Sequence, residues 1–69
     1  MPYISNTDLP PSVRSHLPEA AQDIYRAAFN QAYQRYGGVD ESRIHRIAWG
    51  AVKRAYVKAG GAWIARRIH

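Results

Sequence analysis

The 69-residue chain contains no cysteine, which excludes a disulfide framework and every metal site built on thiolates. A protein of this size buries only about 60% of the surface of its unfolded chain, so noncovalent packing must hold a small core together. Hydrophobic residues make up 46% of the sequence, which is too many for a disordered segment. We therefore predict one folded domain over residues 1–69, with the cytoplasmic location that suits a cysteine-free chain.

Long apolar runs are also missing. A membrane-spanning helix needs about 20 consecutive, mainly apolar residues, and no such run occurs. The opening stretch MPYISNTDLPPS lacks the charged and then apolar segments of a secretion signal. We expect no insertion into a membrane.

Acidic residues are few and scattered, which argues against a cation site. A hard cation requires six or more oxygen ligands, and the three histidines do not show the i, i+4 spacing that pairs two imidazoles on a helix. The sequence also contains no G-x-S-x-G, P-loop or H-E-x-x-H motif. We predict no metal site, no cofactor and no enzymatic activity. The five carboxylates are Asp8, Glu19, Asp23, Asp40 and Glu41.

Two Leu-Pro steps mark the starts of the first two predicted helices. Each places a proline where a helix can begin without losing a hydrogen bond. They predict a short helix from about Pro10 to His16 and a long helix from Pro18 to Gly37, which can adopt the left-handed C-cap conformation. The apolar residues of the long helix recur at steps of three and four: Ala21, Ile24, Tyr25, Ala28, Phe29, Ala32, Tyr33 and Tyr36.

A second long helix is predicted to begin after Asp40, which can cap it, with Val39 and Ile44 forming a hydrophobic staple. The short Gly-Gly-Val connection requires the two long helices to run antiparallel. The periodic residues predict that this helix continues to Gly60-Gly61 and faces the core with one stripe. The stripe comprises Ile44, Ile47, Ala48, Ala51, Val52, Ala55, Tyr56 and Ala59.

Residues 62–69 fit either a strand or a further turn of helix, and we favour a strand paired with the N-terminal Pro-Tyr-Ile-Ser. The predicted fold is thus mainly α. It is a small domain of one short and two long antiparallel helices, with a minor two-stranded ribbon joining the N- and C-terminal segments.

The order of several short motifs along the chain resembles the ChaB family. These are MPY at the start, the two Leu-Pro steps, AQDIYRAAFNQAY at 21–33, RIAWGAVKRAY at 46–56 and a late tryptophan. The matching residues are Leu9, Pro10, Leu17, Pro18, Ile24, Phe29, Asn30, Ala48, Trp49, Val52, Lys53, Tyr56 and Trp63.

The resemblance implies a small helical domain with a minor strand pair and a role as a regulator of cation transport, a label that follows from association with a cation antiporter. Some viral members look like DNA-binding proteins. Many relatives have a longer, charge-rich connection between the main helices, whereas this chain has only GGVDES at 37–42. A role of that longer connection therefore does not transfer to this chain.

Positive charge is concentrated in the second half of the chain. Residues 1–41 carry three arginines and five acids, whereas residues 42–69 carry seven lysines or arginines and no acid. At 100° per residue, most of these cations share the helix face opposite the apolar stripe, with Gly50 among them and Lys58 at its end. The candidate binding residues are Arg43, Arg46, Lys53, Arg54, Arg66 and Arg67.

A positive face of this kind has three interpretations: a solvated surface, a binding site for a polyanion such as nucleic acid, or a contact for an acidic protein surface. Nearby, His45 is expected to be packed or hydrogen-bonded rather than a pH switch, and Trp49 to belong to the core rather than to a stacking surface. The wide apolar arc of the first long helix leaves both a monomer and a weak dimer open.

Overall fold

A computed structural model describes residues 3–37 and 40–66 of the chain. The fold is mainly α, with three helices and a small two-stranded antiparallel sheet, as predicted. A 3-10 turn at Asn6–Asp8 precedes the first helix. The elements that follow are α1 at Pro11–His16, α2 at Glu19–Tyr36, α3 at Glu41–Ala55, β1 at Tyr56–Ala59 and β2 at Ala62–Ala65.

Local signals in the sequence fix the helix ends as expected. Pro18 precedes α2, and its carbonyl accepts a hydrogen bond from the Gln22 amide at 2.9 Å. Gly37 adopts a φ of 63° at the end of α2. Asp40 caps α3, its carboxylate accepting a hydrogen bond from the Arg43 amide at 3.2 Å. The predicted hydrophobic staple involves Val39, which lies outside the described residues.

The core forms where α2 packs against α3. Aromatic contacts show that the two helices run antiparallel, because Tyr25 contacts Trp49, whereas Phe29, further along α2, contacts His45, nearer the start of α3. The alanines on both helices let the backbones approach closely. The buried residues are Leu9, Val13, Leu17, Ala21, Tyr25, Phe29, Ala32, Ile44, Ala48 and Val52.

The buried stripe of α3 is narrower than the predicted one. Ile44, Ala48 and Val52 are fully buried, but Ile47 is 37% exposed, so its assignment to the core was wrong. At 100° per residue, the fully buried line lies about 60° around the helix from the line through Ile47, Ala51 and Ala55. This angular offset leaves Ile47 at the edge of the contact with α2.

The C-terminal part of the chain forms a hairpin, which corrects two predictions. Helix α3 ends at Ala55, four residues before the predicted Ala59, and β1 pairs with β2 rather than with the N-terminal segment. Gly60 and Gly61 have φ values of 58° and 83°, the positive values that a two-residue type I′ turn requires. The turn chemistry and the packing of Trp63 against Trp49, with ring centroids 5.8 Å apart, favour strands over another helical turn.

The N-terminal segment lies along α2, where the Asn30 side chain forms hydrogen bonds with its backbone. The Tyr3 amide donates to the Asn30 side-chain oxygen at 2.8 Å, and the Asn30 side-chain nitrogen donates to the Tyr3 carbonyl at 2.8 Å. The Tyr3 ring packs on Phe29 with centroids 4.7 Å apart. A hydrogen bond of 2.7 Å from the Arg26 guanidinium to the Ile4 carbonyl adds a further link. The segment thereby covers one side of α2.

We expect Asn30→Ala to lower the free energy of unfolding by about 1–3 kcal/mol, because both hydrogen bonds to partly buried Tyr3 are lost. Urea unfolding followed by circular dichroism measures this change. Gln34→Ala, at an exposed position of the same helix, controls for the general effect of an alanine. Equal stabilities of the two variants would show that the pair of hydrogen bonds contributes nothing.

Candidate interaction surface

Four exposed cations lie on the outer side of α3 and form what we call the basic strip: Arg43, Arg46, Lys53 and Arg54. They share this side because the positions that face α2 are taken by apolar residues. Two further predicted site residues lie elsewhere. Arg66 follows β2 and is exposed, and Arg67 lies outside the described residues.

No carboxylate of the described residues neutralises the basic strip. Within residues 3–37 and 40–66, the one ion pair joins Arg26 and Asp23 on α2, with a nitrogen to oxygen distance of 3.7 Å. Asp40, near the strip in sequence, is engaged as the cap of α3. The positive potential of the strip is therefore directed into solvent.

Two of the predicted site arginines also have contacts within the domain. The guanidinium carbon of Arg43 lies 4.6 Å from the centre of the Tyr36 ring, a cation–π contact that holds Arg43 towards the end of α2. The Arg66 side chain donates a hydrogen bond of 2.9 Å from Nε to the Lys53 carbonyl, in the last turn of α3. Arg66 thus satisfies a terminal helix carbonyl, a role that its position in the sequence does not reveal.

Gly50 lies within the strip, where a glycine costs about 1 kcal/mol relative to alanine in a helix. A β-carbon built at this position would meet no atom within 4 Å. Packing inside the described domain therefore does not require glycine there, and the backbone of the strip stays open to a partner at this point.

Two aromatic side chains on α3 anchor the helix from its inner side. The hydroxyl of Tyr25 is hydrogen-bonded to Nδ1 of His45, so His45 is packed and hydrogen-bonded as expected. Trp49 is half-buried and lies between Tyr25 and Trp63, with ring centroids 5.4 Å and 5.8 Å away. It belongs to the core, as the sequence indicated. Burial raises the pKa of the Tyr25 phenol to about 12, and the nearby Tyr3 adds to the rise.

A groove that was not predicted from the sequence runs between α2 and α3 beside the strip. Its volume is about 460 Å³. The prediction missed it because Ile47 was assigned to the core, whereas this side chain is partly exposed in the groove. The lining residues are Ala28, Gln31, Ala32, Arg35, Tyr36, Ile47, Ala51 and Arg54.

Other kinds of site find little support. The part of the chain that the structure describes contains no cluster of three or more histidine or carboxylate side chains that could hold a metal ion. Among the described helices, none combines the length and the apolar character needed to cross a bilayer.

Comparison with known protein families gives one consistent result. The family model ChaB matches residues 9–66. The protein named "Putative cation transport regulator ChaB" from Escherichia coli strain K12 is 44% identical over 66 residues, which cover 84% of this chain and 87% of that protein. The protein of the same name from Shigella flexneri matches with the same identity and coverage.

A solved structure also matches the fold. It is described as the NMR solution structure of the putative cation transport regulator ChaB, with a TM-score of 0.82 and 40% sequence identity. The match covers 96% of this chain and all of the other. The three helices and the small sheet described above are therefore those of a known fold.

Stability should fall at high pH through the Tyr25 phenol. Its pKa in the folded protein, about 12, lies above the ordinary value of 10.0, so the fold favours the neutral form. The resulting stabilisation is complete below pH 10 and is lost as the pH rises towards 12. Between these values, the free energy of unfolding should fall by about 2–3 kcal/mol more in the unsubstituted chain than in Tyr25→Phe. Urea unfolding of both proteins across this range tests the prediction, and parallel curves would contradict it.

Proposed function

Because the chain belongs to the ChaB family, we propose that it is a non-catalytic regulatory module, a single cytoplasmic ChaB-like domain that acts by macromolecular contact. In this proposal, the basic strip binds an acidic protein surface or another polyanion, with Arg66 and Arg67 extending the contact. No cofactor takes part.

The observation that carries the proposal is the clustering of exposed cations without carboxylate partners in the described part of the domain. A merely solvated surface would serve equally well with lysines, arginines and acids interspersed, because mixed charges maintain solubility without a strong field. A face of one sign instead attracts a partner of the opposite sign and accelerates its association.

The name of the relatives, cation transport regulator, is compatible with this mode of action. A positive surface repels metal cations, and the carboxylates that bind them are scattered along this chain. Contact with a protein is therefore a better route to regulation than direct binding of the transported ion.

Nucleic acid is the alternative partner for the same strip. The open backbone at Gly50 favours it, since a phosphate could approach closely there. The strip carries no asparagine or glutamine to read base edges, so the contacts would be to phosphates and independent of sequence.

The proposal predicts salt-dependent binding that requires the strip. Fluorescence anisotropy with labelled poly-L-glutamate and with a short random DNA duplex, measured over a range of salt concentrations, gives the affinity for each polyanion. Arg46→Gln combined with Lys53→Gln should weaken binding by at least about tenfold at low salt, because two cationic contacts are lost. For DNA, each phosphate contact contributes about 0.9 to the slope of log affinity against log salt concentration, so the slope should also become less steep.

The matched control is Ala27→Glu combined with Gln34→Glu, which alters net charge by the same amount at exposed positions of α2. This control should retain most of the affinity. Equal losses of affinity in the two double variants would show that only net charge matters, and not the position of the strip. Absence of binding to both probes at low salt would refute the proposal. Much tighter binding of the duplex than of poly-L-glutamate would identify nucleic acid as the partner.

A further inference from the structure

The groove between α2 and α3 has an apolar floor. Ala28 and Ala32 contribute one wall, and Ile47 and Ala51 contribute the other. Ile47 is 37% exposed, so a large aliphatic side chain remains in contact with water at the middle of the groove. Small side chains around it leave room for the backbone of another element to approach.

The rim of the groove is cationic. Arg35 from α2 and Arg54 from α3 line it, and a second hollow of about 270 Å³ lies on the other side of Ile47, between Arg43 and Arg46. No carboxylate lines either concavity, and none of these four arginines forms an ion pair with the described residues. An apolar floor beneath unpaired guanidinium groups is complementary to a partner that is apolar and acidic on the same face.

The positions of Arg35 and Arg54 along the groove determine how far apart the carboxylates of a partner must lie. Arg35 lies beside Tyr36, at the end where Arg43 contacts that ring. Arg54 lies eleven residues beyond Arg43 on α3, about 16 Å further along the axis at 1.5 Å per residue. Two carboxylates about three helical turns apart on one face of a partner would therefore reach both guanidinium groups.

Other occupants fit these features less well. Nucleic acid offers phosphates but no aliphatic side chain for the floor around Ile47, and a bilayer surface is too flat to enter a cleft between two helices. A second copy of the chain would bring a rim of arginines against an identical rim, which like-charge repulsion opposes. An amphipathic helix instead places its apolar residues in such a groove and its acidic residues at the edges.

We propose that the groove between α2 and α3 binds an acidic amphipathic helix of a protein partner. Its carboxylates, about three turns apart, pair with Arg35 and Arg54, and its apolar side chains between them pack on Ile47 and the surrounding alanines. This inference rests on the proposed function and extends it, because the groove supplies the specificity that a charged strip alone lacks.

The test uses a synthetic helical peptide with two glutamates eleven residues apart and leucines between them on the same face. A second peptide of the same composition has its glutamates on the opposite face. Titration of the full chain, followed by backbone amide chemical shifts, should give changes at Ala28, Ala32 and Ala51 with the first peptide. The second peptide should bind at least about tenfold more weakly, because its carboxylates cannot pair with the arginines.

Two substitutions and one matched control separate binding in the groove from an effect of net charge. Arg35→Gln and Ile47→Gln should each weaken the first peptide by about tenfold, through a lost charge-assisted hydrogen bond and a lost apolar contact respectively. Lys58→Gln removes the same charge as Arg35→Gln but lies on β1, outside the groove and the strip, so it should change peptide affinity by less than about twofold. Circular dichroism of each variant verifies the fold.

Failure of the peptide to bind, equal binding of the two peptides, or equal losses in Arg35→Gln and Lys58→Gln would overturn the inference. So would self-association of the chain that Ile47→Gln abolishes, since a second copy would then occupy the groove. If poly-L-glutamate or duplex DNA still binds the strip in these cases, the proposed function survives without the groove. If no polyanion binds either, both proposals fail.

Discussion

The contact between α2 and α3 is the constraint on which the rest of the domain depends. It brings Tyr25 and Phe29 against Ile44, Ala48 and Val52 in the core, and each large buried side chain contributes about 1.5–3 kcal/mol. With no cysteine to form a disulfide, no other contact of comparable extent joins the described helices. The hairpin and the N-terminal segment add to this pair of helices through Trp63 and Tyr3, and neither could fold against a helix that had no fixed partner.

The same contact determines where the charges lie. A helix has one angular orientation at a time, so burying Ile44 and Val52 forces Arg46 and Lys53 towards solvent. A rotation of α3 by one residue position, about 100°, would turn cations towards the core. Burying an unpaired charge costs more free energy than a small domain gains from its packing. Stability and the display of the basic strip are therefore consequences of one packing arrangement, and selection on either acts on both.

Local chemistry made much of this predictable from the sequence. Pro18, Gly37 and Asp40 each act through their own backbone or side chain, and the helix ends they predicted are the observed ones. Exposure of the strip cations followed equally well from periodicity. The wrong predictions concern features that tertiary packing determines. The exposure of Ile47 depends on how far α3 is rotated against α2, and the strand pairing depends on Trp63 reaching Trp49. The Gly-Gly pair between two short apolar runs was a hairpin signal in the sequence, but the helical period running through Tyr56 competed with it.

The exposed Ile47 has a physical significance that neither periodicity nor charge conveys. Leaving an aliphatic side chain in water forgoes part of the stabilisation that burial would give, and in a domain with so small a core that loss is substantial. The isolated domain is therefore less stable than it would be with Ile47 buried. A partner that covers Ile47 would gain this stabilisation on binding. Charge at the strip acts over about 10 Å and sets the rate of encounter, whereas the apolar floor acts only in contact and sets how long a complex lasts. The proposed binding of an acidic partner uses both, and the strip and the apolar floor adjoin along α3.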